Sequence, residues 1–163
     1  MKKLLSGAQT AISIAGVSIA AMTMSVLSPA QAGDVVTPTV ISGEDFKANV
    51  FARPGVVTKS EKSSLDTDYT SKDFMPFTSS DKKFFVGMFQ TEGHHRYDID
   101  KPYGVDEYMH FLKGGVTLTS SDGTVTEIKA GDSVMIPKEW TGVWESHGYE
   151  KIYVIYDTSA AAE

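Results

Sequence analysis

The chain has 163 residues, no cysteine, and 21 acidic against 15 basic side chains, for a net charge of −6. Without cysteine there is no disulfide and no lipoprotein anchor, so the fold depends on packing alone. The acidic balance argues against nucleic acid and anionic membranes as partners.

The N-terminus reads MKKLLSGAQTAISIAGVSIAAMTMSVLSPAQA. Lys2 and Lys3 precede an uncharged, apolar and small-residue stretch that runs to Leu27. Residues 11–27 are nearly long enough to span a bilayer. Ser28, Pro29 and the Ala30-Gln31-Ala32 pattern decide instead for a signal peptide over 1–32, cut after Ala32. The expected compartment is the periplasm, with no membrane attachment after cleavage. The remaining 131 residues carry 13 basic and 21 acidic side chains, 13 − 21 = −8, and are one domain by length.

In that mature part, residues 35–41 (VVTPTVI) suit an edge strand, where Pro38 is tolerated. Residues 43–50 (GEDFKANV) suit a short helix. From 52 to 83 the chain is rich in Ser, Thr, Lys, Asp and Pro and reads as extended loop with short strands, pinned to the body by Tyr69, Phe74 and Phe77. Residues 33–83 thus form an N-terminal arm and loops. From Phe84 strand-like segments follow closely: 84–90, 94–99, 106–112, 115–120, 124–129, 133–137, 141–147 and 150–157. Turn signals separate them at Glu92-Gly93, Lys101-Pro102, Gly114-Gly115, Asp122-Gly123 and Ala130-Gly131. Asp122-Gly123 is the strongest, a hairpin signal whose glycine accepts positive φ. No long helical period appears, so the class is all-β, a sandwich or barrel. The run from 158 to 163 is a frayed tail.

Two segments carry a family resemblance. Residues 107–114 (EYMHFLKG) and 131–137 (GDSVMIP) resemble the second half of cupin motif 1 and the first half of motif 2. The longer stretch 106–157 resembles the small cupins grouped with ureidoglycine aminohydrolase and the ethanolamine-utilisation cupin. Gly142-Val143-Trp144, the ending from Lys151 to Ile155 and VGMFQTEG at 86–93 agree with that branch. The resemblance spans 84–157. It implies a jelly-roll barrel (a double-stranded β-helix) of six to eight strands with a pocket between its sheets. It also implies a homodimer, with 33–50 as a candidate arm.

Many cupins hold a divalent metal with two histidines and the glutamate of motif 1 and a histidine of motif 2. Here the glutamate is Glu107. The His-x-His slots hold Asp100 and Pro102, or Lys101 and Tyr103. The motif 2 slot holds Gly142. His94 and His95 lie five to eight residues before the expected slots, roughly 15–25 Å along a straight strand. His147 is as far beyond on its own strand, and His110 points to the face opposite Glu107. No cofactor is therefore expected; the fallback metal site is Glu107 with His94 or His95.

With Glu107 inward, Met109 and Phe111 share its face, and Tyr108 and His110 take the other. Trp140 and Trp144 flank Gly142, which leaves room beside them. On the last strand either Tyr153 with Ile155, or Ile152 with Val154 and Tyr156, faces in. A pocket with aromatic walls and one acid suits a small polar or cationic molecule. Its ligand-binding residues would be Glu107, Met109, Trp140, Trp144, Tyr103 and Tyr153. Burial without a metal or partner raises a carboxyl's pKa, which would make Glu107 a general acid or base in an isomerase, lyase or hydrolase. Arg96, Lys101 and Tyr103 are candidate helpers. Alternatively Glu107 is structural, accepting hydrogen bonds from tyrosine or backbone. His94-His95 reads as surface and His110 as an outer-face residue.

Three functions compete: an exported cupin that binds a small polar metabolite, with or without weak metal-independent acid/base chemistry, a metal-dependent hydrolase resembling ureidoglycine aminohydrolase, and a non-catalytic structural or partner-binding dimeric cupin. A solvent-filled cavity ending at Glu107 favours the first, and a fully packed interior the third.

Overall fold

Alternating apolar and polar side chains commit the second half of the chain to extended backbone. In the computed structural model, which describes residues 37–159, that backbone forms β3 (Phe84–Ile99), β4 (Asp106–Ser120), β5 (Val125–Lys129), β6 (Ser133–Ile136) and β7 (Gly142–Tyr156). The polar stretch before them supplies β1 (Val57–Lys62) and β2 (Asp68–Thr78), so what reads as loop over 52–83 is largely strand. Its inward row Tyr69, Ser71, Asp73 is polar or aromatic, which hid it from a search for apolar alternation. The short helix expected at 43–50 is two 3₁₀ turns, Gly43–Phe46 and Ala48–Ala52, the first tied by the Ser42 N–H donating to the Asp45 carboxylate at 2.8 Å. Residues 37–41 form no strand, and Val40 is 84% exposed. The expected signal peptide at 1–32 lies outside the described residues. Among those residues no helix is long and apolar enough to cross a membrane.

Two of the expected turns are bends within strands. Register shifts fall between Glu92 and His95 in β3, and between Phe111 and Thr117 in β4. Gly114, at φ +62, is required there because a Cβ would meet the Gly148 carbonyl oxygen of β7 at 2.1 Å. Such bulges re-aim the side chains that follow. In β4 the buried set passes from Glu107, Met109 and Phe111 to Val116 and Leu118. In β7 it passes from Trp144 and Ser146 to Tyr149, Lys151 and Tyr153. The hairpin at Asp122-Gly123 forms as expected, joining β4 to β5 with Thr119 opposite Val125.

From Thr39 onward the described residues pack as one unit. Its antiparallel sheet runs β1-β2-β3-β7-β4-β5, with β6 beside β4 on the same edge as β5. This corrects the expected jelly-roll barrel: among the described residues the sheet is open, and β1 does not pair with β5 or β6. The edges explain it. β1 carries Lys59, Glu61 and Lys62, charges that blunt an edge against further pairing. β6 has four residues and is used up on β4.

Each face has its own core. One holds Ile99, Met109, Phe111, Val116, Leu118, Ile128, Ile136, Trp144, Tyr149 and Tyr153. On the opposite face Met88, Phe74, Leu112 and Ile152 are covered by Phe46, Val50 and Phe51 of the 3₁₀ turns. The first of these faces carries the site.

Candidate functional site

Glu107 enters the core from β4 and is 3% exposed. Both of its oxygens are taken. The Lys151 ammonium donates to Oε1 at 2.7 Å, and the Tyr103 hydroxyl donates to Oε2 at 2.5 Å. Lys151 stands opposite Phe111 and Ile155 opposite Glu107 in the β4–β7 register, so the lysine stem runs forward along its own strand, toward Ile155, to reach the carboxylate. Its Nζ also lies 2.9 Å from the Met109 sulfur. Four rings surround it: Trp144 at 5.2 Å, Phe89 at 5.7 Å, Tyr149 at 5.8 Å and Tyr153 at 5.9 Å. Aromatic faces attract a cation electrostatically. The cation that the aromatic walls and the glutamate suit is thus part of the chain itself.

This changes the reading of Glu107. The acid/base expectation for Glu107 supposed a buried acid without a partner, and Lys151 is that partner. A second carboxyl sits alongside. The Tyr153 hydroxyl donates to Asp73 Oδ1 of β2 at 2.9 Å. Burial pushes the Asp73 pKa up, against the lowering effects of the Tyr153 hydrogen bond and of Lys151. Burial likewise raises the phenols of Tyr103, Tyr149 and Tyr153, with the charge of Glu107 or Asp73 adding to it.

Of the residues expected to line a pocket, Met109, Trp144, Tyr103 and Tyr153 gather around Lys151 and Glu107, and the last strand turns Tyr153 and Ile155 inward. Trp140 packs at the end of the face, edge-on to Tyr103 at 6.3 Å, with its Nε1 donating to Ser120 Oγ at 3.1 Å. Gly142 opens no space: a Cβ there would meet the Thr119 carbonyl oxygen at 2.2 Å and the Trp140 ring at 2.9 Å. Arg96 is held by Asp98 at 2.8 Å and Glu145 at 3.7 Å, and Lys101 is exposed, so neither helps at Glu107.

The histidines divide. His94 bonds Glu145 at 2.8 Å and stacks on His147 at 4.3 Å. His95 is not on the surface but fully buried, stacked on Tyr69 at 4.5 Å. Its Nδ1 donates to the Gly93 carbonyl at 3.0 Å, its Nε2 is buried without a hydrogen-bond partner among the described residues, and burial lowers its pKa. His110 contacts Ser133 at 2.9 Å, away from Glu107. Among the described residues no group of three or more His, Asp or Glu could hold a metal ion. At Glu107 the neighbouring cation is the Lys151 ammonium, 2.7 Å from Oε1.

Lys151 and Asp73 are the two residues that sequence reading missed. Lys151 was within reach, since it lies two before Tyr153 and so on the same face of a strand. Asp73 offered only its spacing from Tyr69 and Ser71.

The EutQ-like cupin domain family matches residues 95–153. Over that stretch the chain is similar to a EutQ-like cupin domain. Its fold resembles a protein of unknown function of the DUF861 family from Pseudomonas syringae pv. tomato, at 16% identity and TM-score 0.53, covering 61% of this chain and 44% of that one. The chain therefore spans less than half of that protein's length. The Clostridium difficile EutQ protein is similar at 18% identity and TM-score 0.45, covering 56% of this chain and 71% of that one. A putative ethanolamine utilization protein Q from Salmonella typhimurium is similar at 16% identity and TM-score 0.44, covering 66% and 97%. These likenesses concern the fold alone. No curated protein matches the chain. The cupin match begins at His95, so Asp73 and Phe89 lie outside it.

Proposed function

We propose that the protein binds a small polar molecule on the inner face of its sheet, beside the Lys151–Glu107–Tyr103 network, and does so without a metal. One observation carries this reading: an ion pair with side chains only 7% and 4% exposed is bordered by half-buried Asp73, Phe89 and Tyr103. Replacing a buried pair by apolar residues of similar volume is commonly neutral or stabilising. Its presence in this core therefore points to recognition rather than to stability. The open side of the sheet leaves an approach to those half-buried residues.

Lys151 also narrows the ligand. Glu107 is already neutralised, so the site has no need of a cationic guest. It suits an uncharged molecule with hydroxyl or amide groups. Glycerol, ribose and acetamide are the first probes. Calorimetric titration should show binding by one of them, weakened at least tenfold in Tyr103→Phe, which keeps the ion pair and removes one hydroxyl.

A second reading has its own observation. Met109 and Phe111 are fully buried. Two open surface grooves, of about 290 and about 450 Å³, both miss Glu107. A face so filled favours a non-catalytic, partner-binding cupin. Absence of binding by all three probes, with an unchanged melting temperature in each, would decide for it.

A further inference from the structure

We propose that Asp73, not Glu107, is the carboxyl that meets the ligand, with Tyr153 and Gly87 built to hold it in place. This rests on the reading that the inner face binds a small molecule.

The two carboxyls are used differently. Glu107 has both oxygens engaged within the core. Asp73 gives only Oδ1 to Tyr153, its Oδ2 accepts no hydrogen bond from the described residues, and the residue is half-buried rather than enclosed. It is near the network without belonging to it.

The Tyr153–Asp73 contact is also shaped by a deliberate gap. Tyr153 stands opposite Gly87 in the β3–β7 register, and Asp73 opposite Phe89 in the β2–β3 register. The phenol of β7 must therefore cross β3 to reach β2. It crosses at Gly87, where a Cβ would meet the Tyr153 hydroxyl at 2.4 Å, its ring at 2.5 Å and the Phe74 carbonyl oxygen at 2.7 Å. Any other residue at 87 would push the phenol off Asp73. A glycine in a strand interior costs stability, and a close approach of this kind gives it a reason.

The titratable groups around Asp73 come from three elements: Lys59 of β1, Glu107 of β4, and Lys151 with the neutral phenol of Tyr153 of β7. Burial, with Glu107 acting in the same sense, outweighs Tyr153 and the two lysines and favours the protonated acid, so Asp73 can hold a proton at a pH where an ordinary aspartate has lost it. Ionised, Oδ2 accepts from a ligand hydroxyl or amide N–H. Protonated, it donates to a ligand carbonyl. Such exchange is what the neutral, hydroxyl- or amide-bearing ligand class requires, and Glu107, locked by Lys151, cannot supply it.

Two measurements on the full chain test this. In carbon-13 spectra of the side-chain carboxyls, the Asp73 signal is assigned by its loss in Asp73→Asn, and that of Glu107 by Glu107→Gln. Ribose, glycerol or acetamide should move the Asp73 signal and leave that of Glu107 in place, and Gly87→Ala should reduce the shift. A shift at Glu107 with Asp73 unmoved overturns the assignment while leaving small-molecule binding intact. No shift at either overturns both. In the wild type, needing no variant, a water-soluble carbodiimide with glycinamide should modify Asp73 and spare Glu107. The reverse pattern refutes the proposal.

Discussion

Removing one partner of the Lys151–Glu107 pair should destabilise the protein, whereas removing both should not. At 2.7 Å the attraction is about 6 kcal/mol for an effective dielectric near 20. Desolvation of two buried ions costs several kcal/mol each, so the pair as a whole adds little. Deleting one partner forfeits the attraction and leaves the other ion in the core. For Lys151→Met or Glu107→Gln the expected loss is about 3–5 kcal/mol, or about 10–20 °C in melting temperature for a unit of this size. The rings around Lys151 soften the Glu107→Gln loss by about 1 kcal/mol, since they hold the ammonium in the absence of the carboxylate. The double variant Glu107→Leu/Lys151→Met should return to within about 1 kcal/mol of wild type. Urea denaturation followed by circular dichroism measures all three and closes the cycle. Single variants each costing under about 1 kcal/mol, or a double variant as poor as the sum of the singles, would refute the reasoning.

Asp73→Asn should be stabilising at neutral pH. The folded pKa of Asp73 lies above its ordinary value of 3.8, so the stability tied to its proton is complete below that value and is lost as pH rises through the folded one. Melting curves from pH 3 to 8 should show the variant ahead at pH 7 and the gain vanishing in acid; a gain independent of pH would contradict it. His95 works in the opposite sense. Its folded pKa lies below 6.5, so its contribution is complete above that value and is lost as pH falls. His95→Phe should flatten the acid side of the stability profile between pH 7 and 5, with Tyr69, Tyr97 and Tyr149 packed against the ring in both proteins. Restoring the missing cupin ligand by Gly142→His should lower the melting temperature and bring no zinc by elemental analysis, because the new side chain meets the β4 backbone.

Strand positions from Phe84 onward were legible because apolar and polar residues alternate there, and the cupin motifs around Glu107 and Gly131 pointed to the fold family. Closure was not legible. Whether β1 meets the far edge depends on pairing between strands remote in sequence, which no local pattern encodes. Nor could glycines be told apart: Gly123 turns a hairpin, while Gly93 and Gly114 lie within strands that continue past them. Glu107 was found by its motif, and the alternative that it accepts a hydrogen bond from tyrosine agrees with Tyr103, but its ion pair was not foreseen because that depends on what faces it. Lys151, forty-four residues on, reads as a surface lysine at the end of a strand. Only the β4–β7 register, with Phe111 against Lys151, turns it into the counter-ion. Asp73 was harder still, in a segment with no apolar stripe.

A tethered ammonium and an exchangeable metal are different devices even when they stand beside the same glutamate. A metal keeps open positions at which a ligand can bind and be polarised. An ammonium has three donors and no acceptor, and here one goes to Glu107, one points at the Met109 sulfur, and the charge is ringed by aromatic side chains. One N–H remains, inside a side chain only 7% exposed, so Lys151 offers a guest little to grip. Lys151 therefore fixes the glutamate and sets the local potential, and the groups left to touch a ligand are those at the border: Tyr103 through its hydroxyl, Phe89, and above all Asp73, whose Oδ2 accepts no hydrogen bond from the described residues. If metal-independent chemistry occurs on this sheet, the carboxyl that can change its protonation without dismantling the core is the one on β2, and the glutamate of the cupin motif has become part of the frame that holds the site.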